Sequence, residues 1–150
     1  MIWNYILWEK KVWTSSSVND IDVWNSYFPD VTPTQSHTSN YQFFSTSTGS
    51  YFVHQNEFYS LSQAIYITAQ NENSKLLVYR SSFTSCYCSS QGASIYHYGG
   101  SFILFQSCGT KSKNDVNDGT FLFSYSFQII NLPQFLIEST ISECGETGKG

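Results

Sequence analysis

Four cysteines and one histidine could in principle build the most specific chemistry in this sequence. They are Cys86, Cys88, Cys108, Cys144 and His97. Cys86-x-Cys88 could join Cys108 and His97 around zinc, but the spacing matches no standard zinc knuckle. A disulfide is a second interpretation. A third is that the thiols are simply buried, because unpaired cysteine is among the most buried residue types. The sequence favours buried thiols and predicts no metal site, while the other two interpretations stay open.

Carboxylates beside a basic residue would be needed for polysaccharide cleavage. A lyase needs clustered carboxylates for calcium and a base that takes a proton, and a glycosidase needs two carboxyl groups on one face. Asp115 and Asp118 share one polar loop, and Arg80 is the only arginine. Glu138 and Glu143 fall in one repeat copy without matching carboxylates in the others. We therefore expect solvated surface charges and predict no catalytic residue.

Two further chemical motifs are absent or incomplete. No Gly-x-Ser-x-Gly element occurs, although the chain is rich in serine. Residues 145–150 are glycine-rich like a phosphate-binding loop, but position 143 is Glu where that motif needs Gly. The residue after Lys149 is Gly, where the motif has Ser or Thr. The sequence thus predicts no cofactor.

The composition is that of a folded β protein. Charged residues make up 12% of the chain and aromatic residues 18%, whereas a disordered chain has few aromatics and a high net charge. Tyr, Phe, Ile and Val beside Ser and Thr are typical of strands. The net charge of −4 has no basic cluster behind it, which excludes a phosphate-tracking surface for nucleic acid. No apolar stretch approaches the roughly 18 residues of a membrane helix.

An imperfect repeat ending in Phe-x-x-Cys runs through the C-terminal two-thirds of the chain. Aligned on their cysteines, its copies are residues 77–86, 102–108 and 135–144, with a degraded copy at 58–61. A second strand-like segment accompanies the copies, at 64–67, 93–96 and 120–123. Gln-Gly and Asp-Gly pairs at 91–92 and 118–119 supply turns. Irregular spacing between the copies fits a solenoid whose turns carry loops on one side.

The repeat predicts an all-β fold, a right-handed parallel β-helix of about four to five rungs. Equivalent residues of adjacent rungs would lie about 4.8 Å apart. We expect one internal column of Phe83, Phe105 and Ile141, and another of Cys86, Cys108 and Cys144. Stacked in this way, Cys86 and Cys108 would lie within reach of a disulfide. The bend or the outer face would hold Ser81, Ser82, Ser139 and Thr140.

Two short motifs carry a family resemblance. Phe-x-x-Cys at 83–86 and Gly-Ala-Ser-Ile-Tyr at 92–96 resemble the Phe-x-x-Asn and Gly-Gly-Ala-Ile motifs of polymorphic-membrane-protein repeats. They resemble still more the cysteine-containing variants in large protist surface proteins of pectin-lyase-like fold. The resemblance covers about residues 51–150, with Gln at position 91 where the motif has Gly. It implies an adhesin or surface antigen, at the cell surface or secreted.

Residues 1–48 differ from the repeats and are expected to form an irregular or β-rich flank before the β-helix at 49–150. They hold all four tryptophans. Residues 3–13 are predicted to form a strand or short amphipathic segment, and 15–50 turns and short strands. The apolar run at the N-terminus is too short for a secretory signal. No capping helix follows the last repeat, so we expect the solenoid to continue beyond position 150 or to stack end to end with another copy.

The function that this sequence favours is a non-enzymatic module for binding or adhesion, a fragment of a larger surface protein. Its carbohydrate or protein ligand would contact the Ser/Thr/Tyr-rich outer faces, because tyrosine offers an apolar ring with a polar tip. A degenerate polysaccharide-active enzyme of lyase or hydrolase type is the alternative. A structural remnant without a ligand is a third hypothesis.

Overall fold

The computed structural model describes residues 19–116, 119–126 and 134–146. The chain divides into two units, Met1–Asp30 and Val31–Gly150. The segment predicted at 3–13, Asp118 and the end of the glycine-rich stretch, 147–150, lie outside the described residues.

One helix, α1, spans Asp20–Tyr27 in the first unit. Asn19 is its N-cap, and the side-chain oxygen accepts a hydrogen bond of 3.5 Å from a backbone N–H of the first turn. Two aspartates in that turn interact favourably with the helix dipole. The helix ends where the N–H of Phe28 donates to the carbonyl of Trp24 at 2.9 Å. The prediction of turns and short strands is wrong for these residues, because the capping asparagine and acidic first turn favour a helix without a long apolar period.

Sixteen short strands form the described part of the second unit. In chain order they are β1 (Gln35–His37), β2 (Phe43–Ser45), β3 (Ser50–His54), β4 (Glu57–Tyr59), β5 (Ile65–Ile67), β6 (Lys75–Tyr79), β7 (Ser82–Thr84), β8 (Tyr87–Cys88), β9 (Ile95–Tyr98), β10 (Ser101–Phe105), β11 (Cys108–Thr110), β12 (Lys113–Asn114), β13 (Leu122–Tyr125), β14 (Gln134–Ile137), β15 (Thr140–Ser142) and β16 (Gly145–Glu146).

The strands form four sheets in which every pair is parallel and joins successive turns of the chain. Sheet 1 has the order β1-β3-β6-β10-β14, sheet 2 β4-β7-β11-β15, sheet 3 β8-β12-β16 and sheet 4 β2-β5-β9-β13. A full turn passes through the sheets in that sequence, although the turn of β3, β4 and β5 has no strand in sheet 3, and about three turns are formed. The predicted all-β parallel solenoid is thereby confirmed, with about three turns where the sequence predicted four to five rungs. β1 and β2 pair with β3 and β5, so strands before residue 49 already belong to the stack.

The register confirms two of the aligned repeat copies and corrects the third. Leu77 and Phe135 both lie opposite Ile103, as the alignment of 77–86 with 135–144 requires. The middle copy is displaced by four residues, because Phe105 lies opposite Tyr79 in sheet 1, where the two rings stack at 5.4 Å. The predicted column of Phe83, Phe105 and Ile141 is therefore wrong at its middle member.

Phe121 fills the place that the middle copy leaves in this column. Gly109 lies between Phe83 and Ile141 in sheet 2. A Cβ atom at Gly109 would collide with the ring of Phe121, and that ring packs edge-on against Phe83 at 5.6 Å. The core thus keeps an aromatic ring at this level, although a loop residue rather than the strand supplies it.

Residues in the left-handed region make the corners on both sides of sheet 2. Their φ angles lie between 46° and 57° in the columns Gln55, Arg80, Gln106, Glu138 and Ser60, Ser85, Lys111, Glu143. A residue other than glycine costs on the order of 1 kcal/mol in this region. Hydrogen bonds between turns offset that cost. The N–H of Arg80, for example, donates to the carbonyl of Phe105 at 3.1 Å.

A largely buried serine column follows the first corner: Ser81 and Ser107 are buried and Ser139, near the end of the stack, is half-buried. Oγ of Ser107 accepts from the N–H of Ser81 at 3.1 Å and donates to the carbonyl of Phe105 at 3.0 Å. One turn later, Oγ of Ser139 accepts from the N–H of Ser107 at 3.2 Å. The outer face of sheet 2 carries the half-buried Ser82 and the exposed Thr140, so the predicted placement of these serines and threonine is confirmed.

Replacing Ser107 with alanine should destabilise the solenoid by about 1–3 kcal/mol, because the buried N–H of Ser81 loses its acceptor. The matched change Ser82→Ala should shift the free energy of unfolding by no more than about 0.5 kcal/mol. Denaturant unfolding followed by circular dichroism measures both. Equal losses for the two variants would contradict a hydrogen-bonded serine column.

Candidate functional site

The outer face of sheet 4 carries a column of aromatic side chains. Successive residues of a strand point to opposite faces. In β5 the buried Ile65 and Ile67 therefore flank Tyr66, whose half-buried side chain points outward. The strand register places one such ring in each turn, and these rings form the ring column: Phe44, Tyr66, Tyr96 and Phe123.

The rings of this column are stacked on one another at nearly constant spacing. Centroid separations are 5.2 Å from Phe44 to Tyr66, 4.9 Å to Tyr96 and 5.0 Å to Phe123. The ring planes of neighbours differ by 2° to 20°. Each inner ring is consequently covered on both faces, and its edge is what meets the solvent. Phe44, at the end of the sheet, is 59% exposed.

A second outward column runs beside the ring column. In the later turns it holds Tyr98 and Tyr125, whose rings stack at 4.8 Å. In the earlier turns Thr46 and Thr68 take the corresponding place, with far smaller side chains. The difference in side-chain size leaves a depression beside the first rings of the ring column.

Glutamine amides border the ring column on its other side. Nε2 of Gln42 donates to the carbonyls of Ser62 and Gln63 at 2.7 and 2.9 Å. Nε2 of Gln63 donates to the carbonyl of Gln91 at 3.0 Å and to Oγ of Ser90 at 3.4 Å. Each amide nitrogen donates both of its hydrogens to groups of the solenoid itself. The Oε1 atoms of Gln42 and Gln63 therefore remain as acceptors for a ligand hydroxyl. Gln42, Gln63 and Gln91 form what we call the amide column.

The ring column, the amide column and the two threonines enclose a groove of about 590 Å³. Its lining consists of Gln42, Phe44, Thr46, Gln63, Tyr66, Thr68, Ser90, Gln91 and Tyr96. None of these side chains carries a charge at neutral pH. Burial, together with the like negative charge that Tyr66 and Tyr98 would carry when ionised, raises the pKa of Tyr96 above its ordinary value, so this phenol remains a neutral hydrogen-bond donor in ordinary buffers.

His97 lies on the inner face of sheet 4, one residue from the ring column. Its side chain is fully buried, with Nδ1 3.2 Å from Oγ of Ser124 and the ring 5.6 Å from that of Phe102. Nε2 has no hydrogen-bond partner among the described residues. Burial lowers the pKa of His97 from 6.5 to about 4, because a charged imidazole would lose its hydration there.

The cysteines do not form the predicted column. Cys86 and Cys144 share one corner position, with Ser112 between them, while Cys108 lies opposite Ser82 and Thr140 on the outer face of sheet 2. Burial raises the pKa of the Cys86 thiol. All four cysteines are unpaired, and the predicted stacking of Cys86 on Cys108 is wrong because Ser112 stands at the equivalent position one turn after Cys86.

The acidic residues that the sequence analysis expected to be solvated surface charges are dispersed. Asp115 accepts a hydrogen bond of 2.5 Å from the hydroxyl of Tyr87 on the outside of sheet 3, and this bond raises the pKa of Tyr87. Glu138 accepts from Nε2 of Gln106 at 2.8 Å, and Oε1 of Gln106 accepts from Nε of Arg80 at 3.3 Å. Arg80, Gln106 and Glu138 form a polar ladder at the first corner, and neither they nor Asp115 line the groove. Asp118 lies outside the described residues.

Among the described ranges, no group of three His, Cys, Asp or Glu side chains is arranged to hold a metal ion. No helix in the same ranges is long and apolar enough to cross a membrane. Comparisons with protein-family models, with curated proteins and with solved structures found no match to this chain. The resemblance to polymorphic-membrane-protein repeats therefore stays a prediction, as does end-to-end stacking.

The groove contains residues that the sequence analysis did not single out as a site. Tyr66 and Tyr96 each follow an isoleucine, in the segments that the sequence analysis identified as the second strand of the repeat. An alignment of Ile65-Tyr66 with Ile95-Tyr96 would have revealed the ring column. No comparable signal marks Gln42, which precedes its amide partner Gln63 by 21 residues and reaches it only because the chain completes a turn.

Acid should destabilise the solenoid through His97. Its folded pKa lies below its unfolded value, so between pH 6.5 and about 4 the unfolded chain binds a proton that the folded chain does not. The free energy of unfolding should fall by about 3 kcal/mol over that interval on account of this residue. Denaturant melts at a series of pH values measure the slope, and in His97→Leu that contribution should be missing. An unchanged slope in the variant would contradict this assignment.

Proposed function

We propose that the solenoid is a non-enzymatic binding module whose ligand is an uncharged carbohydrate held in the groove of sheet 4. The observation that carries this proposal is the ring column, bordered by the amide column within one groove free of charged side chains. Aromatic rings supply an apolar surface of low conformational cost, and amides supply directed hydrogen bonds to hydroxyl groups. Sugars present both kinds of surface, C–H groups and hydroxyls.

The absence of charge in the groove lining favours a neutral ligand over an anionic one. Uronates, phosphates and sulfates would be expected to meet lysine or arginine, and the lining contains neither. Ring edges carry partial positive charge, so the edges of Tyr66 and Tyr96 attract hydroxyl oxygens. A neutral glycan therefore fits this lining better than an acidic polysaccharide does.

Binding is favoured over catalysis at this groove for a chemical reason. Acid–base cleavage of a glycosidic bond needs a carboxyl pair or a carboxyl with a base beside the bond. The groove offers amides, hydroxyls and rings instead. A degenerate polysaccharide-active enzyme remains the alternative, and release of reducing ends from a bound polysaccharide would favour it.

The adhesion part of the proposal rests on sequence resemblance. The Phe-x-x-Cys and Gly-Ala-Ser-Ile-Tyr segments resemble repeats of large surface proteins that act as adhesins. A glycan-binding face on a solenoid would suit that role, and a cell-surface location follows from the same resemblance.

Removing one ring of the column should weaken binding to neutral polysaccharides. We expect Tyr66→Ala to raise the dissociation constant about tenfold, the effect of losing about 1.4 kcal/mol of ring contact. Affinity electrophoresis in gels containing a β-glucan, mannan, xylan or pectin provides the test. Retention should be seen with at least one neutral polymer and be weaker or absent with pectin.

The matched control for that experiment is Tyr59→Ala. Tyr59 is 70% exposed on the outer face of sheet 2, outside the groove, so its loss should leave retention unchanged. Equal effects of the two variants, or migration of the wild-type protein unaffected by every neutral polymer, would sink the proposed function.

A further inference from the structure

The groove repeats its contacts once per turn along the solenoid axis. The first turn contributes Phe44 and Gln42, and the second contributes Tyr66 and Gln63. The third turn contributes Tyr96 with the neighbouring residues 90 and 91. Across the strands no such repeat exists, because β2 and β5 are three residues long and present one outward ring each. A ligand that uses several equivalent contacts must therefore run parallel to the axis.

The interval between turns selects among polymer types. Successive rings are 4.9 to 5.2 Å apart. An extended peptide advances only about 3.3 Å per residue, which is shorter than the spacing of the rings, so its successive residues would not lie beside successive rings. A sugar residue in an extended glycan is about as long as the interval between turns, and such a chain stays in step.

The stacking of the rings determines which part of each ring a sugar can contact. Tyr66 is covered on one face by Phe44 and on the other by Tyr96. The inner rings thus offer edges and phenolic hydroxyls rather than open faces. A sugar chain lying flat along the column would contact one ring edge in each turn and the amide oxygens of Gln42 and Gln63 in the first two turns, so binding strength would accumulate turn by turn.

Resting on the proposed function, we infer that the groove takes a linear, extended, neutral glycan lengthwise, with one sugar residue on each of three successive turns. The groove spans the turns that contribute Phe44, Tyr66 and Tyr96, and this span sets the footprint. Tyr98 in the second outward column replaces the threonines of the earlier turns and bounds the depression at the third turn. Chains longer than about three or four residues gain no further contacts.

Isothermal titration with oligosaccharides of one to six residues tests this inference. The probes are three series, the β-1,4-linked glucans, the β-1,4-linked mannans and the more curved β-1,3-linked glucans. For an extended series we expect the dissociation constant to fall at least tenfold from the disaccharide to the tetrasaccharide, and to change less than twofold from there to the hexasaccharide. Weaker binding of the curved series is expected.

Ring variants give a second readout that a general loss of folding would not mimic. Tyr96→Ala should remove most of the gain in affinity between disaccharide and tetrasaccharide, because the third turn loses the ring that a longer chain would contact. Tyr59→Ala should bind the whole series like the wild type. Circular dichroism melts establish that both variants are folded.

The possible outcomes distinguish failure of the lengthwise arrangement from failure of the proposed carbohydrate-binding function. Binding that is equally strong for a monosaccharide and a hexasaccharide overturns the lengthwise arrangement and leaves the carbohydrate-binding function standing. A clear preference for the curved β-1,3 series overturns the lengthwise arrangement in the same way. Failure of every series and every neutral polysaccharide to bind overturns both.

Discussion

Parallel main-chain hydrogen bonding between successive turns is the constraint on which the rest of this solenoid depends. It fixes each turn at about the strand spacing above the previous one, so that side chains at equivalent positions form columns. The serine column, the left-handed corners and the ring column all follow from this single repeat. Any residue in a column is judged by its fit to the residues one turn above and below it, rather than by its neighbours in sequence.

The same constraint accounts for the contrast between the sheets. In sheet 1 all five residues of β10 are buried, which suits the continuous apolar runs of its strands. In β5 and β9 of sheet 4, buried residues alternate with outward rings. Burial has a cost at His97, where an imidazole occupies an inner position and is kept neutral. The outward rings supply the contacts proposed for a ligand.

Sequence reasoning could identify the fold because the repeat left a readable pattern of apolar residues, small polar residues and turns. It aligned the copies around Phe83 and Ile141 correctly, since both retain the apolar residue and the following cysteine. It failed on the middle copy because glycine and serine stand at those two positions, and Cys108 offered a misleading match. The corners were invisible because residues such as Arg80 adopt a left-handed conformation that nothing in their side chains requires.

The candidate site was harder to predict, for a physical reason. Gln42, Tyr66 and Gln91 lie in three different turns, so their proximity can be predicted only from the correct register of all three. An error of four residues in one turn would place them apart. Outward and inward rings also look alike in a single strand. Phe58 is in the core and Tyr59 beside it is in solvent, a difference that only the stacking of turns determines.

Cross-linking across the stack tests the register most directly. Cys108 and Ser82 lie opposite each other in sheet 2, at a spacing of about 4.8 Å between Cα atoms that is within the range of a disulfide. Mild oxidation of Ser82→Cys should join position 82 to Cys108, as read by mass spectrometry of the proteolysed protein. The same treatment of Thr84→Cys, which lies opposite Thr110, should give little cross-link to Cys108. A disulfide between Cys86 and Cys108, or equal yields of cross-link to Cys108 from positions 82 and 84, would contradict the register and the columns built on it.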